Sequence, residues 1–126
     1  MDNLRIESTS KTPKIDFKSE KGELLIQGIS VPENAIEFYT PVVNWLIKYA
    51  ANPQNKTTLS LKLTYLNTSS LQFLYDALKE LDEIVSPDSV IINWYYVEED
   101  EDMRETGEDF SEVSSSEFNF IEVEEL

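Results

Sequence analysis

The sequence predicts an α/β fold in which about three helices pack on a mixed sheet. Two strand–helix–strand units follow one another along the chain, and consecutive units of this kind place neighbouring strands parallel. Three short strands precede these units. The chain has 126 residues, of which 40% are hydrophobic. This length supports one core and is too short for two, so we expect a single domain over residues 1–126.

The three opening strands are predicted within the first thirty residues. Residues 4–7 alternate apolar and charged side chains, as a half-buried strand does, and Thr12 with Pro13 interrupts this pattern. The short apolar run 15–17 follows. A polar segment that ends at Gly22 then predicts a turn into a third strand.

A first helix is predicted after the helix-start residues 30–34. Pro41 falls inside its apolar stripe, so the helix either kinks there or restarts with Thr40 as its cap. The sequence leaves both arrangements open. The stripe follows the 3.6-residue period of an amphipathic helix and consists of Ala35, Phe38, Tyr39, Val42, Leu46 and Tyr49.

The next unit begins with residues 59–65, which alternate apolar and polar side chains and predict a strand with one buried face. The polar residues 67–70 interrupt it, and a second amphipathic helix is expected directly after them. We expect this helix to end at the segment 86–88, which contains Pro87. Residues 90–97 form a run of β-branched and aromatic residues, typical of a central strand covered on both faces.

The last thirty residues predict a third helix and a final strand. The acidic residues 99–102 suit the positive end of a helix dipole, although Gly107 disfavours a helix at its position. Residues 118–123 are expected to form the last strand. The predicted inner edge of the third helix consists of Met103, Phe110 and Val113.

The composition removes most catalytic mechanisms, because the chain contains neither Cys nor His. No thiolate nucleophile, zinc–thiolate site or histidine base is available, and no glycine-rich phosphate loop exists among three glycines. The acidic run beginning at Asp100 lacks the glycine and the bidentate glutamate of an EF-hand, since Glu105 and Ser111 occupy those positions. We therefore expect no metal and no cofactor. A small enzyme based on carboxylates is an open but weaker alternative.

The net charge of −15 is concentrated at the C-terminal end. Residues 98–126 contain 13 acidic side chains against the single base Arg104, which gives them a net charge of −12. Such a surface repels phosphate backbones and anionic lipids, so neither nucleic acid nor a membrane is an expected partner. It favours a partner with a basic patch, although an acidic face that only aids solubility, or an acidic DNA mimic, are alternatives. With no secretory signal or apolar span, the expected location is cytoplasmic.

The segment Asn67, Thr68, Ser69 and Ser70 is the strongest candidate site. It lies where a strand ends and a helix begins, at the edge of a parallel sheet where ligands and partners usually bind. Its hydroxyls lie beside the open N–H groups of a helix N-terminus, which favours an added phosphate. The same residue types are also the preferred helix caps. A cap and a phosphorylation switch are both compatible with this pattern.

Several motifs in the same order and spacing resemble the SiaC-type regulatory phosphoproteins of bacteria, over essentially the whole chain. Tyr65 followed by the Asn-Thr-Ser-Ser motif at 67–70 is the most informative of them. The others are residues 4–7 with Thr12-Pro13, Gly28 with residues 30–35, Phe38-Tyr39 with Pro41, Trp94-Tyr95-Tyr96, and the acidic run that ends in Gly107-Glu108-Asp109.

This resemblance implies a STAS-like domain that acts without catalysis. Thr68 matches the phosphoacceptor of the family, and Asn67, Ser69 and Ser70 would form the phosphoacceptor loop around it. The implied partners are a SiaB-like Ser/Thr kinase, a SiaA-like PP2C-type phosphatase, and an output protein such as a SiaD-like diguanylate cyclase. The unphosphorylated form would activate that cyclase and so promote cyclic di-GMP synthesis and biofilm formation. An anti-anti-sigma-like antagonist in a partner-switching pathway is the alternative function.

Overall fold

The structure is a computed structural model that describes residues 1–84 and 89–126. Within these ranges, six strands form one sheet in chain order, and three helices follow the third, fourth and fifth strands. The predicted α/β class is confirmed. The strands are β1 (Leu4–Ile6), β2 (Lys14–Lys18), β3 (Glu23–Ser30), β4 (Thr57–Leu66), β5 (Val90–Val97) and β6 (Glu117–Val123). The helices are α1 (Ala35–Ala51), α2 (Thr68–Asp82) and α3 (Glu101–Val113).

The sheet has an antiparallel part and a parallel part. β1, β2 and β3 pair antiparallel, as successive hairpin strands do. β3, β4, β5 and β6 pair in parallel, and a helix connects each neighbouring pair. The parallel strands predicted from the two strand–helix–strand units are therefore confirmed, and α3 with β6 adds a third such unit.

The helices pack on one face of the sheet. Trp45 of α1 lies with its ring centroid 5.0 Å from that of Phe17, and Phe110 of α3 lies 5.4 Å from Trp94. Both contacts are on the face that carries the central buried row of the sheet. That row consists of paired residues that are at most 1% exposed, namely Ile15, Ile26, Leu61 and Trp94.

The opposite face of the sheet carries no helix among the described residues, so the prediction that residues 90–97 are covered on both faces is wrong. Burial alternates along β5, and Ile91, Asn93 and Tyr95 on the open face are partly exposed. Lys62 Nζ lies 4.7 Å from the centroid of the Tyr95 ring. β-Branched and aromatic residues favour strands on half-exposed faces as well. Their unbroken run therefore indicated a strand without indicating its burial.

α1 is one continuous helix with Pro41 inside it, so neither a restart at this point nor a cap at Thr40 is present. The Thr40 hydroxyl instead donates to the carbonyl of Ile36 at 2.6 Å. A proline at this position removes the backbone donor that would serve the carbonyl four residues earlier, at Glu37. Burial of the opposite side of the helix compensates for this loss, since Tyr39 and Val42 are each 1% exposed.

α3 packs its glycine directly on an aromatic ring. A Cβ atom added at Gly107 would lie 2.6 Å from two atoms of the Trp94 ring, so no larger residue fits without displacing the indole. Met103 and Phe110 are buried as predicted. The prediction for Val113 is wrong, because this last residue of the helix is 60% exposed beyond the end of the core.

The second helix begins earlier than the sequence predicts. Its last residue is Asp82, and the expected end at 86–88 lies outside the described residues. Its first residue is Thr68, so the polar segment forms the first turn instead of preceding it. None of the helices in the described ranges combines the length and the hydropathy needed to cross a bilayer.

Candidate phosphoacceptor site

All three helices begin at the same edge of the sheet, because each follows the carboxyl end of a parallel strand. Each is capped by a side-chain oxygen that accepts the backbone N–H three residues later. The distances are 3.1 Å for Asn34, 3.0 Å for Asn67 and 3.1 Å for Asp100. Asn67 is therefore the cap of α2. Thr68, Ser69 and Ser70 follow as its first turn, and the description of Ser69 and Ser70 as loop residues is corrected.

The fold gives the three neighbouring hydroxyls different environments. Ser70 is fully buried. Ser69 is exposed, but its hydroxyl donates to the Asn67 side-chain oxygen at 3.1 Å. Thr68 is exposed, and its hydroxyl makes no hydrogen bond to any residue within 1–84 or 89–126. Thr68 is thus the hydroxyl of this turn that is open to an incoming group.

A buried chain of hydroxyls lies behind the turn and joins α2 to β3 and α1. Ser70 Oγ donates to the Ser30 carbonyl at 3.1 Å, which uses its only proton. The 2.8 Å contact between the two serine hydroxyls is then donated by Ser30. The Ser30 hydroxyl has then used its only proton as well, so Tyr39 is the donor of the 2.5 Å hydrogen bond to Ser30 Oγ. We call the sequence Tyr39 to Ser30 to Ser70 the hydroxyl relay.

Burial keeps the relay in one protonation state. It raises the pKa of Tyr39 above the ordinary value of 10.0, and the hydrogen bonds with Ser30 and Ser70 offset part of this effect. The phenol is therefore protonated at physiological pH and acts as a donor. The Ser30 carbonyl also accepts the backbone N–H of Asn67 at 3.0 Å, so both the cap and the end of the relay are fixed on the same residue of β3.

The three helix starts differ in charge. The first turn of α1 carries Glu37, and that of α3 carries Glu101 and Asp102. The first turn of α2 carries no acidic residue. Since the N-terminus of a helix carries about half a positive charge, α2 is the one of the three whose own first turn supplies no carboxylate to that end. An added phosphate would meet the positive end of the α2 dipole there.

Exposed apolar side chains lie at the same edge of the sheet, and sequence reasoning missed them. Ile29 and Tyr65 are partners across β3 and β4 and are 36% and 59% exposed. Ile36 in the first turn of α1 is 69% exposed. In the pairing of β3 with β4, Gly28 lies opposite Leu63 and Ile29 lies opposite Tyr65, so Thr64 has no partner on β3. Gly28, beside this irregularity, has a φ of +127°. An isolated glycine in a strand pattern indicates a bulge, and a bulge redirects side chains, so Gly28 was the signal available.

The acidic residues of α3 show no arrangement for metal binding. Asp100 uses a carboxylate oxygen to cap α3, and Arg104 lies 3.6 Å from Glu108. Among the described residues, no group of three or more acidic side chains is placed to hold a metal ion.

Comparisons with known proteins agree on one family. Residues 6–123 match the sequence model of the SiaC family of regulatory phosphoproteins. The chain is 36% identical over 119 residues to an uncharacterized protein of Pseudomonas aeruginosa strain UCBPP-PA14, and the match covers 94% of each chain. Its fold is similar to a solved structure of SiaC of Pseudomonas aeruginosa, with a TM-score of 0.88 and 34% identity over 98% of this chain and 100% of that one.

A second solved structure adds a functional context. It is a crystal structure of the diguanylate cyclase SiaD in complex with its activator SiaC, also from Pseudomonas aeruginosa. The match to it has a TM-score of 0.88 and 35% identity, and it covers 95% of this chain and 99% of the matched chain.

Proposed function

Because the chain belongs to the SiaC family of regulatory phosphoproteins, we propose that it is a non-enzymatic adaptor that activates a diguanylate cyclase and is switched by phosphorylation of Thr68. The acting unit is one regulatory domain spanning residues 1–126. The unphosphorylated form binds a SiaD-like cyclase and promotes cyclic di-GMP synthesis. A SiaB-like Ser/Thr kinase adds the phosphate, and a SiaA-like PP2C-type phosphatase removes it.

One observation carries the choice of Thr68: its hydroxyl is exposed and makes no hydrogen bond within residues 1–84 and 89–126, whereas the hydroxyls of Ser69 and Ser70 are engaged. The turn is also the helix start without an acidic residue. A phosphate here adds about −1.5 to −2 charges and is stabilised by the open N–H groups and dipole of α2. The modified form is therefore compatible with the fold.

The cyclase is proposed to dock on the surface formed by Ile29, Ile36, Tyr65 and Thr68. The three apolar members are exposed, and aromatic anchors of this kind contribute a large share of binding energy at protein interfaces. A phosphate in the middle of such a surface would have to lose water on docking, at a high cost in free energy. Phosphorylation therefore blocks docking without a change of fold.

Binding measurements test the docking half of this proposal. We would titrate purified Pseudomonas aeruginosa SiaD with the wild type, Thr68→Ala, Thr68→Asp and the neighbouring control Ser69→Ala. Thr68→Ala and Ser69→Ala should bind like the wild type. Thr68→Asp should raise Kd about ten-fold or more, equivalent to about 1.4 kcal/mol, because it places a charge in the interface. Equal affinities for Thr68→Asp and the wild type would refute the docking surface.

Phosphorylation assays test the second part of the proposal, that Thr68 is the phosphoacceptor and that its phosphate stops cyclase activation. The kinase and ATP should label the wild type and Ser69→Ala at Thr68, as located by mass spectrometry, and should not label Thr68→Ala. The phosphorylated wild type should then fail to stimulate cyclic di-GMP formation by SiaD, and phosphatase treatment should restore stimulation. Undiminished labelling of Thr68→Ala would show that the acceptor lies elsewhere.

A further inference from the structure

Three consecutive hydroxyls at one helix start raise the question of which one receives the phosphate. Ser70 follows Thr68 by two residues and carries the same functional group as its exposed neighbour Ser69. Its hydroxyl is nevertheless withdrawn from solvent, because it both accepts from Ser30 and donates to the Ser30 carbonyl. The donor that begins this chain is Tyr39, which lies on another helix.

We propose that Tyr39 is a positioning residue of the phosphate switch, which holds the first turn of α2 closed through Ser30 and thereby restricts phosphorylation to Thr68. This inference rests on the proposed function. In the transfer, an Oγ1–P bond forms at Thr68 while the bond from the γ-phosphorus of ATP to the ADP oxygen breaks. The hydroxyl proton leaves to a base of the kinase. A serine whose hydroxyl is held in the relay cannot present its oxygen for this attack.

The relay restricts the acceptor because its members depend on one another. Without the phenol, the Ser30 hydroxyl loses the donor that directs its own proton to Ser70, and the relay is left with two hydrogen bonds instead of three. The Ser30 hydroxyl is then free to turn away from Ser70, and loss of that hydrogen bond, at typical strength, raises the population of the opened first turn about five-fold. In that opened form the side chain of Ser70 can rotate to solvent and compete with Thr68.

Two substitutions break the relay while sparing the aromatic core. Tyr39→Phe keeps the ring, which stacks on Phe73 with centroids 5.4 Å apart. Ser30→Ala removes the middle hydroxyl from the other side. Tyr49→Phe is the matched control, because Tyr49 lies on the same helix, is also 1% exposed, and bonds a threonine hydroxyl, that of Thr57, at 2.7 Å. Its hydroxyl has no hydrogen bond to the first turn of α2 in the described structure.

The test measures where the phosphate goes. Wild type, Tyr39→Phe, Ser30→Ala and Tyr49→Phe would be phosphorylated with the SiaB-like kinase and ATP, and site occupancy would be determined by fragmentation mass spectrometry. The wild type and Tyr49→Phe should carry phosphate on Thr68. Both relay variants should show about a five-fold rise in the share of phosphate on Ser70, in proportion to the opened population. Amide hydrogen exchange of Ser70 and Leu71 should accelerate by the same factor in the relay variants and stay unchanged in Tyr49→Phe.

The possible outcomes separate the two proposals. If the wild type is labelled at Thr68 and both relay variants keep that distribution, the role of Tyr39 is overturned while the switch stands. Redistribution in Tyr49→Phe equal to that in Tyr39→Phe would also overturn it, because acceptor choice would then follow general stability. If no form is labelled on residues 68–70, the proposed switch falls and the role of Tyr39 in acceptor choice falls with it. The exchange rates would still report whether the relay closes the turn.

Discussion

The substitution Gly107→Ala tests the packing of α3 most sharply, because two effects of opposite sign compete at this residue. Helix propensity alone favours alanine over glycine by about 1 kcal/mol in a helix interior. The structure opposes this gain. The added Cβ would lie 2.6 Å from the Trp94 ring, whereas ordinary contacts begin at 3.4 Å, so the indole would have to retreat by about 0.8 Å.

The Trp94 ring has little freedom to retreat. It is 1% exposed, its Nε1 donates to the Met103 carbonyl at 3.0 Å, and its other neighbours include Phe110 and Phe118. Overpacking of a core costs about 1–3 kcal/mol. Weakening the indole hydrogen bond adds a further loss of up to about 1 kcal/mol. After subtraction of the propensity gain, these terms leave a loss of about 0–3 kcal/mol, and we expect Gly107→Ala to lower the free energy of unfolding by about 1–2 kcal/mol, the middle of that range.

The assay is equilibrium unfolding in urea followed by far-UV circular dichroism, since tryptophan fluorescence would respond to the displaced indole itself. Ser111→Ala on the same helix is the control, because it raises helix propensity without adding atoms and should increase stability by a few tenths of a kcal/mol. A higher urea midpoint for Gly107→Ala with an unchanged m-value would refute the packing argument. It would show that the indole moves aside freely.

Three further predictions concern the helix caps, the proposed docking surface and the buried Tyr39. Asn67→Ala and Asn34→Ala should each lower the free energy of unfolding by about 1 kcal/mol, measured in urea, but Asn67→Ala alone should accelerate amide exchange at the start of α2. Tyr65→Ser should weaken binding to SiaD about 30-fold or more if the ring is an interface anchor, whereas the equally exposed Val113→Ser should change Kd less than two-fold, as calorimetry would establish. The pKa of Tyr39 is raised, so its contribution to stability is complete below pH 10 and is lost as the pH rises through the folded value. Tyr39→Phe should accordingly reduce the fall in stability above pH 10, and a wild-type fall that persists unchanged in this variant would contradict the buried donor.

The order of elements was predictable from sequence because each depends on a local period. The alternation in β4 and the stripe of α2 were both visible in one window of the chain. The start of α2 was placed too late, because the stripe begins at Leu71 while the cap, Asn67, lies four residues earlier. Cap chemistry was the better guide to the boundary than hydrophobic period.

The features that the sequence did not predict depend on contacts between residues far apart in the chain. Gly107 disfavoured a helix by propensity, yet the structure requires glycine there because Trp94 lies beneath it. The hydroxyl relay joins Ser30 and Ser70, which are 40 residues apart, and no short motif encodes such a pair. The sequence of β5 alone does not show whether one or both of its faces are buried, because that depends on which face of the sheet the crossover helices cover.

The distribution of charge among the three helix starts explains why a phosphate on α2 would regulate docking. The helix starts of α1 and α3 already hold carboxylates, while that of α2 is neutral and lies beside exposed Tyr65. Of the three helix starts, that of α2 is therefore the one whose own residues cost an apolar partner least when water is excluded. A phosphate on Thr68 gives α2 the charge that its two neighbours carry and makes all three helix starts acidic. Because the surplus acid elsewhere is permanent, the quantity regulated in the proposed switch is the desolvation cost at Thr68, where one phosphate would add about −1.5 to −2 charges.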